Sequence, residues 1–148
     1  MKTPFLFDGE CFVDDRGKLG SVSGFDPQEH GIRRFYFVGN HTPGFVRAWH
    51  AHKLESKWIT CVSGSALVAI AECEDPLNPD PLEPIQRFVI SSDRPKILYV
   101  PNGYANGWKS LTDDCVLLVM SDKTLAESME DDFRISWDFW NPWEVQPR

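Results

Sequence analysis

The chain has 148 residues, which is enough to bury a hydrophobic core in one domain. Its apolar content of 42% and its charged content of 25% are typical of a soluble globular protein. The formal net charge of −7 argues against a protein that coats nucleic acid, and an anionic ligand would need a local group of cations. Because no secretory h-region and no apolar run near 18 residues is visible, we expect a cytoplasmic protein without a membrane span.

The four cysteines, Cys11, Cys61, Cys73 and Cys115, show no CxxC spacing. Cys61 and Cys115 lie inside apolar runs, where cysteine behaves as a small hydrophobic residue. We therefore predict reduced core cysteines, and disulfides are the less favoured alternative.

Short runs rich in Val, Ile, Phe and Tyr alternate with turn residues along almost the whole chain. No segment keeps a helical period over three turns, and only residues 123–131 resemble a short helical turn. In chain order, strands are predicted near residues 4–7, 18–24, 32–38, 44–52, 57–63, 65–73, 85–91, 96–100, 105–110 and 115–121. This spacing predicts an all-β sandwich or barrel.

Turn segments and a tail complete the chain. The four prolines of residues 75–84 exclude a strand there, and we interpret the segment as a loop rather than a domain boundary. Residues 100–108, "VPNGYANGW", form a second turn. The tail, "SWDFWNPWEVQPR", holds three of the six tryptophans and should cover the open side of a sheet or a subunit interface. We expect a single domain over residues 1–148, with extra N-terminal strands and this aromatic tail.

The segment "RAWHAHK", residues 47–53, holds two histidines at the spacing of a strand. Strand alternation places His50 and His52 on one face and Arg47 on the other. A four-residue hairpin loop would then pair His52 with Lys57 at the start of the next strand. Two imidazoles and one ammonium on the same side are either a functional site or three polar residues that face solvent.

The spacing from Gly44 to Gly64 reads G-x5-H-x-H-x4-K-x6-G, which resembles the first motif of the cupin family. In that motif a metal-binding glutamate stands where Lys57 stands here. The second cupin motif, P-x-G-x2-H, is matched by "PNGYAN" with Asn106 in place of histidine. The resemblance implies an all-β cupin jelly-roll barrel of the RmlC-like type. Because an ammonium cannot donate a lone pair, we expect neither a metal nor another cofactor.

Two branches of the cupins are similar in more detail, over roughly residues 10–122. The dTDP-4-dehydrorhamnose 3,5-epimerases carry D-x-R-G, R-G-L-H, a lysine and P-x-G-F-A-H-G-F, matched here by residues 14–17, 47–50, 57 and 101–108. The dTDP-sugar 3,4-ketoisomerases carry R-G-x-H-A-H-K, matched by "RAWHAHK" except at Ala48. The resemblance implies an epimerase or isomerase that acts on a dTDP-linked 4-keto-6-deoxyhexose, and it implies a homodimer.

What the resemblance implies for the site follows residue by residue. His50 would be the principal base and His52 its partner or proton carrier, while Lys57 would stabilise the enolate oxygen. Arg47 would bind diphosphate. The tyrosine that serves the epimerases as an acid is replaced by Val119, so a hydroxyl would come from Tyr36 or Tyr104. The remaining candidates for substrate contacts are Asn106, Tyr104, Arg16 and Lys109.

Some alternatives stay open. Alternation turns Arg47 away from the histidines, so either a bulge re-aims its side chain or Arg47 reaches a pocket shared with a second subunit. Trp49, Trp58 and Trp108 could stack on a nucleobase, but packing is the favoured role for each. The whole chain could also be a non-catalytic cupin that binds sugar nucleotides, or a metal-dependent cupin enzyme.

Overall fold

A computed structural model describes residues 3–148 of the chain. The elements in these residues are β1 (Phe5–Asp8), β2 (Glu10–Asp14), β3 (Gly17–Ser21), β4 (Arg34–Gly39), β5 (Val46–His52), β6 (Lys57–Ser63), β7 (Ser65–Glu72), β8 (Gln86–Ser91), β9 (Lys96–Val100), β10 (Tyr104–Ser110), β11 (Val116–Ser121), α1 (Leu125–Glu130) and β12 (Phe133–Arg134). None of the described helices is long and apolar enough to cross a membrane.

Two five-stranded antiparallel sheets form the body of the fold. The first sheet has the strand order β1-β9-β6-β11-β4, and the second has the order β12-β5-β10-β7-β8. Strands β2 and β3 form a separate hairpin. This arrangement confirms the predicted all-β sandwich, and the predicted helical turn is confirmed as α1, whose start carries a capping box between Thr124 and Glu127.

Apolar side chains from both sheets meet in the interior. β6, β9 and β11 contribute from the first sheet, and β7, β8 and β10 contribute from the second. The largest fully buried members include Ile70, Ile90, Leu98 and Leu117. Four members of this core also border a cavity that is lined by polar side chains of β5; they are Ile59, Trp108, Leu117 and Val119.

The outer face of the second sheet is covered by the C-terminal tail, as the tryptophans predicted. Trp140 and Trp143 are buried against Trp49 of β5, and the Trp49 ring nitrogen donates to the carbonyl oxygens of Trp137 and Trp140, each at 3.2 Å. With both faces covered, β7 is buried over almost its whole length, which explains its continuous apolar sequence.

The predicted hairpin between β5 and β6 is wrong. β5 pairs with β10 and β12, whereas β6 pairs with β9 and β11 in the other sheet. The four residues between the two strands cross from one sheet to the other instead of closing a turn. Their backbone N–H groups bond to Asp131 and Asp122 rather than to a partner strand.

A bulge in β5 decides which way Arg47 points. Asn106 of β10 pairs with His50, but Trp108 pairs with Arg47, so two residues of β5 stand opposite Gly107 alone. Ala48 and Trp49 both pack into the cluster beneath the tail, and alternation therefore restarts with Arg47 on the face of the histidines. The prediction that strict alternation turns Arg47 away from the histidines is wrong. The alternative that we considered, a bulge that re-aims its side chain, is present.

Two strands were absent from the prediction. β2 has mostly exposed residues, and β12 is only two residues long, so neither gives a strong periodic signal. The strand predicted over residues 18–24 is β3, which ends at Ser21. The four cysteines are free and three of them, Cys61, Cys73 and Cys115, are buried, as expected of reduced core residues.

The bulge gives a stability prediction at Gly107. A Cβ atom there would lie 2.5 Å from the Cβ of Ala48 and 2.9 Å from the ring of Trp143. Because both neighbours are packed, Gly107→Ala should lower the free energy of unfolding by about 1–3 kcal/mol. Gly24→Ala is the matched control, since nothing lies within 4 Å of an added Cβ there. Urea unfolding measures both, and equal midpoints for the two variants would contradict the packing at the bulge.

Candidate active site

A cavity of about 310 Å³ lies between the two sheets at the end where the polar residues of β5 point inward. Its lining combines strands of both sheets with α1 and the segment that follows it. The lining residues are Arg34, Tyr36, Val38, Arg47, His50, His52, Lys57, Ile59, Asn106, Trp108, Leu117, Val119, Leu125, Ser128, Met129, Asp132 and Arg134.

His50 is on β5, which lies between β10 and β12 in the second sheet. It therefore has a cross-strand neighbour on each side. Asn106 of β10 is opposite on one side and donates its amide to the His50 carbonyl oxygen at 3.2 Å. Arg134 of β12 is opposite on the other side. Burial, with the nearby charges of Arg134 and Lys57, lowers the pKa of His50 to about 4. His50 is therefore neutral at physiological pH and able to accept a proton.

His52 is more deeply buried, and its tautomer follows from its contacts. Its Nδ1 lies 2.6 Å from the carbonyl oxygen of Asp131, which can only accept a hydrogen bond. Nδ1 must therefore carry the proton, and Nε2, which has no hydrogen-bond partner, keeps its lone pair. Burial, with the charge of Lys57, also lowers the pKa of His52.

Lys57 joins the histidines from the facing sheet. It begins β6 and is only 8% exposed. Burial lowers the pKa of Lys57, although the charge of Glu55 acts in the opposite direction. The predicted grouping of two imidazoles and one ammonium is thus present, but it arises from two opposed sheets and not from a hairpin.

Glu55 is a buried carboxylate that our motif comparison passed over, because it stands two residues before the position of the cupin ligand. Its side chain accepts hydrogen bonds from Ser121 at 2.6 Å, Ser128 at 2.7 Å and Arg34 at 3.0 Å. Burial alone would raise the pKa of Glu55, but Lys57 and the two hydroxyl groups outweigh it and lower the pKa. Glu55 is therefore ionised inside the fold.

Asp131 explains why Glu55 points inward. Its buried carboxylate accepts hydrogen bonds from three consecutive backbone N–H groups, those of Lys53, Leu54 and Glu55, at 2.8–2.9 Å. The crossover segment is folded around this carboxylate, while the Asp131 carbonyl holds His52. No sequence motif marks Asp131, because the contact joins residues almost 80 positions apart.

The cations in the lining outnumber the carboxylates. Arg34 is paired with Glu55 and Arg134 with Asp132, at 3.0 Å and 2.9 Å. Arg47 instead donates from Nε to the side-chain oxygen of Asn40 at 2.7 Å, which orients its guanidinium at the cavity. Arg47 and Lys57 therefore leave the cavity locally positive in a chain of net charge −7, and an anionic ligand is favoured there.

The wall of the first sheet is mainly apolar, formed by Val38, Ile59, Leu117 and Val119. Val119 is paired across the sheet with Tyr36, which lines the same cavity. Burial, with the charge of Glu55, raises the pKa of Tyr36 to about 12, so its hydroxyl stays protonated. A hydroxyl group thus stands one strand away from the position where the epimerases carry their tyrosine.

Three predicted substrate contacts lie away from this cavity. Arg16 is on the β2–β3 hairpin and pairs with Asp14. Tyr104 is next to His52 in the sheet register, but it lines a separate surface pocket with Glu72 and Glu74. Lys109 is on β10 and is also absent from the lining. Among the tryptophans, Trp108 lines the cavity, whereas Trp49 and Trp58 pack on the outer faces of the sheets.

The donor set of the cavity fits proton transfer better than metal binding. Within residues 3–148, no group of three or more His, Cys, Asp or Glu side chains is placed to hold a metal ion. His50 and His52 are accompanied by Lys57 and Asn106, an ammonium and an amide, which are poor partners for a divalent cation.

One curated protein resembles the chain in sequence. A curated dTDP-4-dehydrorhamnose 3,5-epimerase of Streptomyces griseus is 25% identical over 138 residues, and the match covers 85% of this chain. The chain spans 66% of the length of that relative.

Solved structures share the fold. The dTDP-4-dehydrorhamnose 3,5-epimerase of Bacillus anthracis, with TDP and pyrophosphate bound, aligns with a TM-score of 0.77 at 19% identity, covering 97% of this chain and 86% of that one. The 3,4-ketoisomerase QdtA of Thermoanaerobacterium thermosaccharolyticum, in complex with TDP, aligns with a TM-score of 0.65 at 22% identity, covering 92% and 90%. These similarities confirm the predicted cupin jelly roll.

The model of one protein family matches residues 6–136, which is most of the chain and includes every residue that lines the cavity. The chain therefore belongs to the family described as FdtA: WxcM-like, C-terminal.

Proposed function

We propose that this protein is an isomerase of dTDP-linked 4-keto-6-deoxyhexoses and that it acts by proton transfer at the carbons next to the ketone. The observation that carries the proposal is the pair of neutral imidazoles, His50 and His52, that share a buried cavity with the ammonium of Lys57. The matched relative and the similar structures include enzymes that act on such sugars or were solved with TDP.

The charges of the cavity suit the substrate. A nucleotide diphosphate carries negative charge, and Arg47 lines the cavity with its guanidinium oriented by Asn40. A planar donor fork is well matched to phosphate oxygens. We propose that Arg47 contacts the diphosphate and that Asn106 and Trp108 contact the sugar or the nucleotide from β10.

The first chemical step is removal of the proton at C3. A neutral histidine takes this proton, the electrons of the broken C–H bond form a double bond between C3 and C4, and the ketone oxygen becomes an enediolate oxygen. Lys57 stabilises the developing negative charge. His50 is the proposed base because its imidazole is neutral and less buried than that of His52.

The return of the proton decides the product. Delivery to C4 from the histidine face, with loss of the proton on the C3 oxygen, moves the ketone to C3. The presence of two histidines on one wall favours this 3,4-ketoisomerisation. Delivery to C3 from the opposite face would instead invert C3. Tyr36 on the facing sheet favours this second candidate, a 3-epimerase.

We also propose that the chain acts as a single-domain, cytoplasmic homodimer without a cofactor. Relatives implied by the sequence resemblance are dimers, and Arg16 lies on an exposed hairpin away from its own cavity. Arg16, Tyr104 and Lys109 stay predicted substrate contacts, although they do not line the cavity described above.

Solvent deuterium tests the proposed function. Incubation with dTDP-4-keto-6-deoxyglucose in D2O should place deuterium at C3 or C4, because the abstracted proton exchanges with solvent. NMR of the sugar measures the label and identifies the product. His50→Asn should reduce the exchange by about 100-fold or more. A wild-type protein that binds the nucleotide sugar without exchange would instead be the non-catalytic alternative.

Tyr36→Phe separates the two candidate reactions. If the ketone shift uses only the histidine face, the variant should keep its rate within about threefold, because no proton passes through the phenol. An epimerase would lose about 100-fold or more of its C3 inversion, since Tyr36 would be its proton donor. The measurement is the rate of each product by NMR, and a large loss of ketone shift would contradict the histidine-only route.

The pH dependence of kcat/KM follows from His50. A base works only when it is unprotonated, and the pKa of His50 is lowered to about 4. Activity should therefore stay nearly constant as the pH falls from 7 towards 5 and decline only near pH 4. An acid limb near pH 6.5, the ordinary value for histidine, would contradict this placement of the base. A parallel measurement of unfolding over the same range controls for acid denaturation.

A further inference from the structure

Glu55 has an arrangement that the steps proposed above do not use. It is 2% exposed, and both of its oxygens are engaged. Oε1 accepts from Ser121 and Arg34, while Oε2 accepts from Ser128 and lies 3.2 Å from Nδ1 of His52. Beyond its three hydrogen-bond donors, the Glu55 carboxylate contacts the ring of His52.

Neutral His52 already has a partner for its Nδ1 proton, the carbonyl oxygen of Asp131 at 2.6 Å. A proton that arrives at Nε2 would convert the ring to an imidazolium, whose charge has to be balanced inside the fold. The charged groups that face His52 are Lys57, which opposes this charge, and the carboxylates of Glu55 and Asp131, which favour it. Glu55 is the closer carboxylate, since Asp131 Oδ2 is 4.0 Å from Nδ1.

We propose that Glu55 is a positioning residue whose carboxylate stabilises the positive charge that His52 gains when its Nε2 accepts a proton during the reaction. This inference rests on the proposed function, because it assigns a partner to one of the two histidines of that site. It also separates the roles of the two histidines: His50 removes the proton at C3, and His52 is the ring whose protonated form is balanced by a carboxylate.

The surroundings of the two rings support this division. His50 is opposite Arg134, whose charge disfavours an imidazolium there, and the neighbouring Asp132 is already paired with Arg134. His52 instead shares its buried site with the ionised Glu55. A carboxylate oxygen thus lies 3.2 Å from a ring nitrogen of His52, while an arginine stands opposite His50.

The position of Glu55 depends on α1 and the residues that follow it. Ser128 of α1 donates to Glu55, and Asp131 folds the segment from which Glu55 projects. Loosening of α1 alone could thus imitate the loss of Glu55, and an experiment has to separate the two effects.

The test is Glu55→Gln, with Glu127→Gln as its matched control. Gln keeps the shape of the side chain but removes its charge. Glu127 is an exposed carboxylate of the α1 capping box, paired with Arg33. Glu127→Gln removes its charge at the start of α1 and its pairing with Arg33, which weakens α1 without touching His52. We expect Glu55→Gln to lower kcat by about tenfold to a hundredfold with KM nearly unchanged, because the interaction matters once the charge has formed. Glu127→Gln should keep kcat within about twofold.

Nitrogen-15 NMR of the histidine rings provides a readout that does not need turnover. The Asp131 carbonyl should keep the neutral His52 ring in its Nδ1–H tautomer in both proteins. Conversion of the ring to imidazolium should need a lower pH in Glu55→Gln than in the wild type, because the carboxylate charge that favours the imidazolium is gone. An unchanged His52 titration in a folded Glu55→Gln protein, or an unchanged kcat, would overturn the proposal. If Glu55→Gln does not fold, Ser128→Ala, which removes one donor to Oε2, takes its place and should show smaller changes of the same kind.

The two proposals fail in different ways. If the wild-type protein shows no deuterium exchange but Glu55→Gln still shifts the His52 titration to lower pH, the proposed reaction fails while the charge-balancing role of Glu55 stands. If exchange occurs and Glu55→Gln matches the wild type in kcat or in the His52 titration, the reaction stands and the role of Glu55 is rejected.

Discussion

The site depends above all on the hydrogen bonds of Asp131. One buried carboxylate accepts from three consecutive backbone N–H groups of the crossover between the two sheets, and the carbonyl of the same residue holds His52. Since unsatisfied backbone donors are costly inside a protein, this carboxylate determines the path of the crossover. The path in turn places Glu55 beneath His52 and starts β6 so that Lys57 faces the histidines.

The second constraint is electrostatic. The chain is acidic overall, yet the cavity collects Arg34, Arg47, Lys57 and Arg134. Two of these cations are neutralised by carboxylates, and the other two leave a positive field for a diphosphate. The same field and the burial keep His50 neutral, so one arrangement of charge serves both substrate attraction and base catalysis in the proposed reaction.

Several of the residues predicted from the sequence line one cavity, but the sequence did not reveal the way they come together. His50, His52, Lys57 and Tyr36 all line the cavity, as do Arg47 and Asn106. The hairpin that was expected to join His52 to Lys57 is absent, because the crossover spans two sheets. Asp131 was missed, since a local pattern cannot reveal a contact between distant segments. Glu55 was set aside because it stands two residues before the position of the cupin ligand. Arg16, Tyr104 and Lys109 were expected at the substrate and lie outside the cavity.

By itself, the sequence determined the all-β class and the two imidazoles on one strand face, because period and residue chemistry are local properties. That Lys57 and Asn106 stand at metal-ligand positions is what the resemblance to the cupin motifs implies. Only the tertiary structure decided that Arg47 faces the histidines, through the bulge at Ala48–Trp49, and that Tyr36 stands beside Val119 on the opposite wall. Register, bulges and the facing of two sheets depend on packing between segments far apart in the chain, and no short stretch of sequence encodes them.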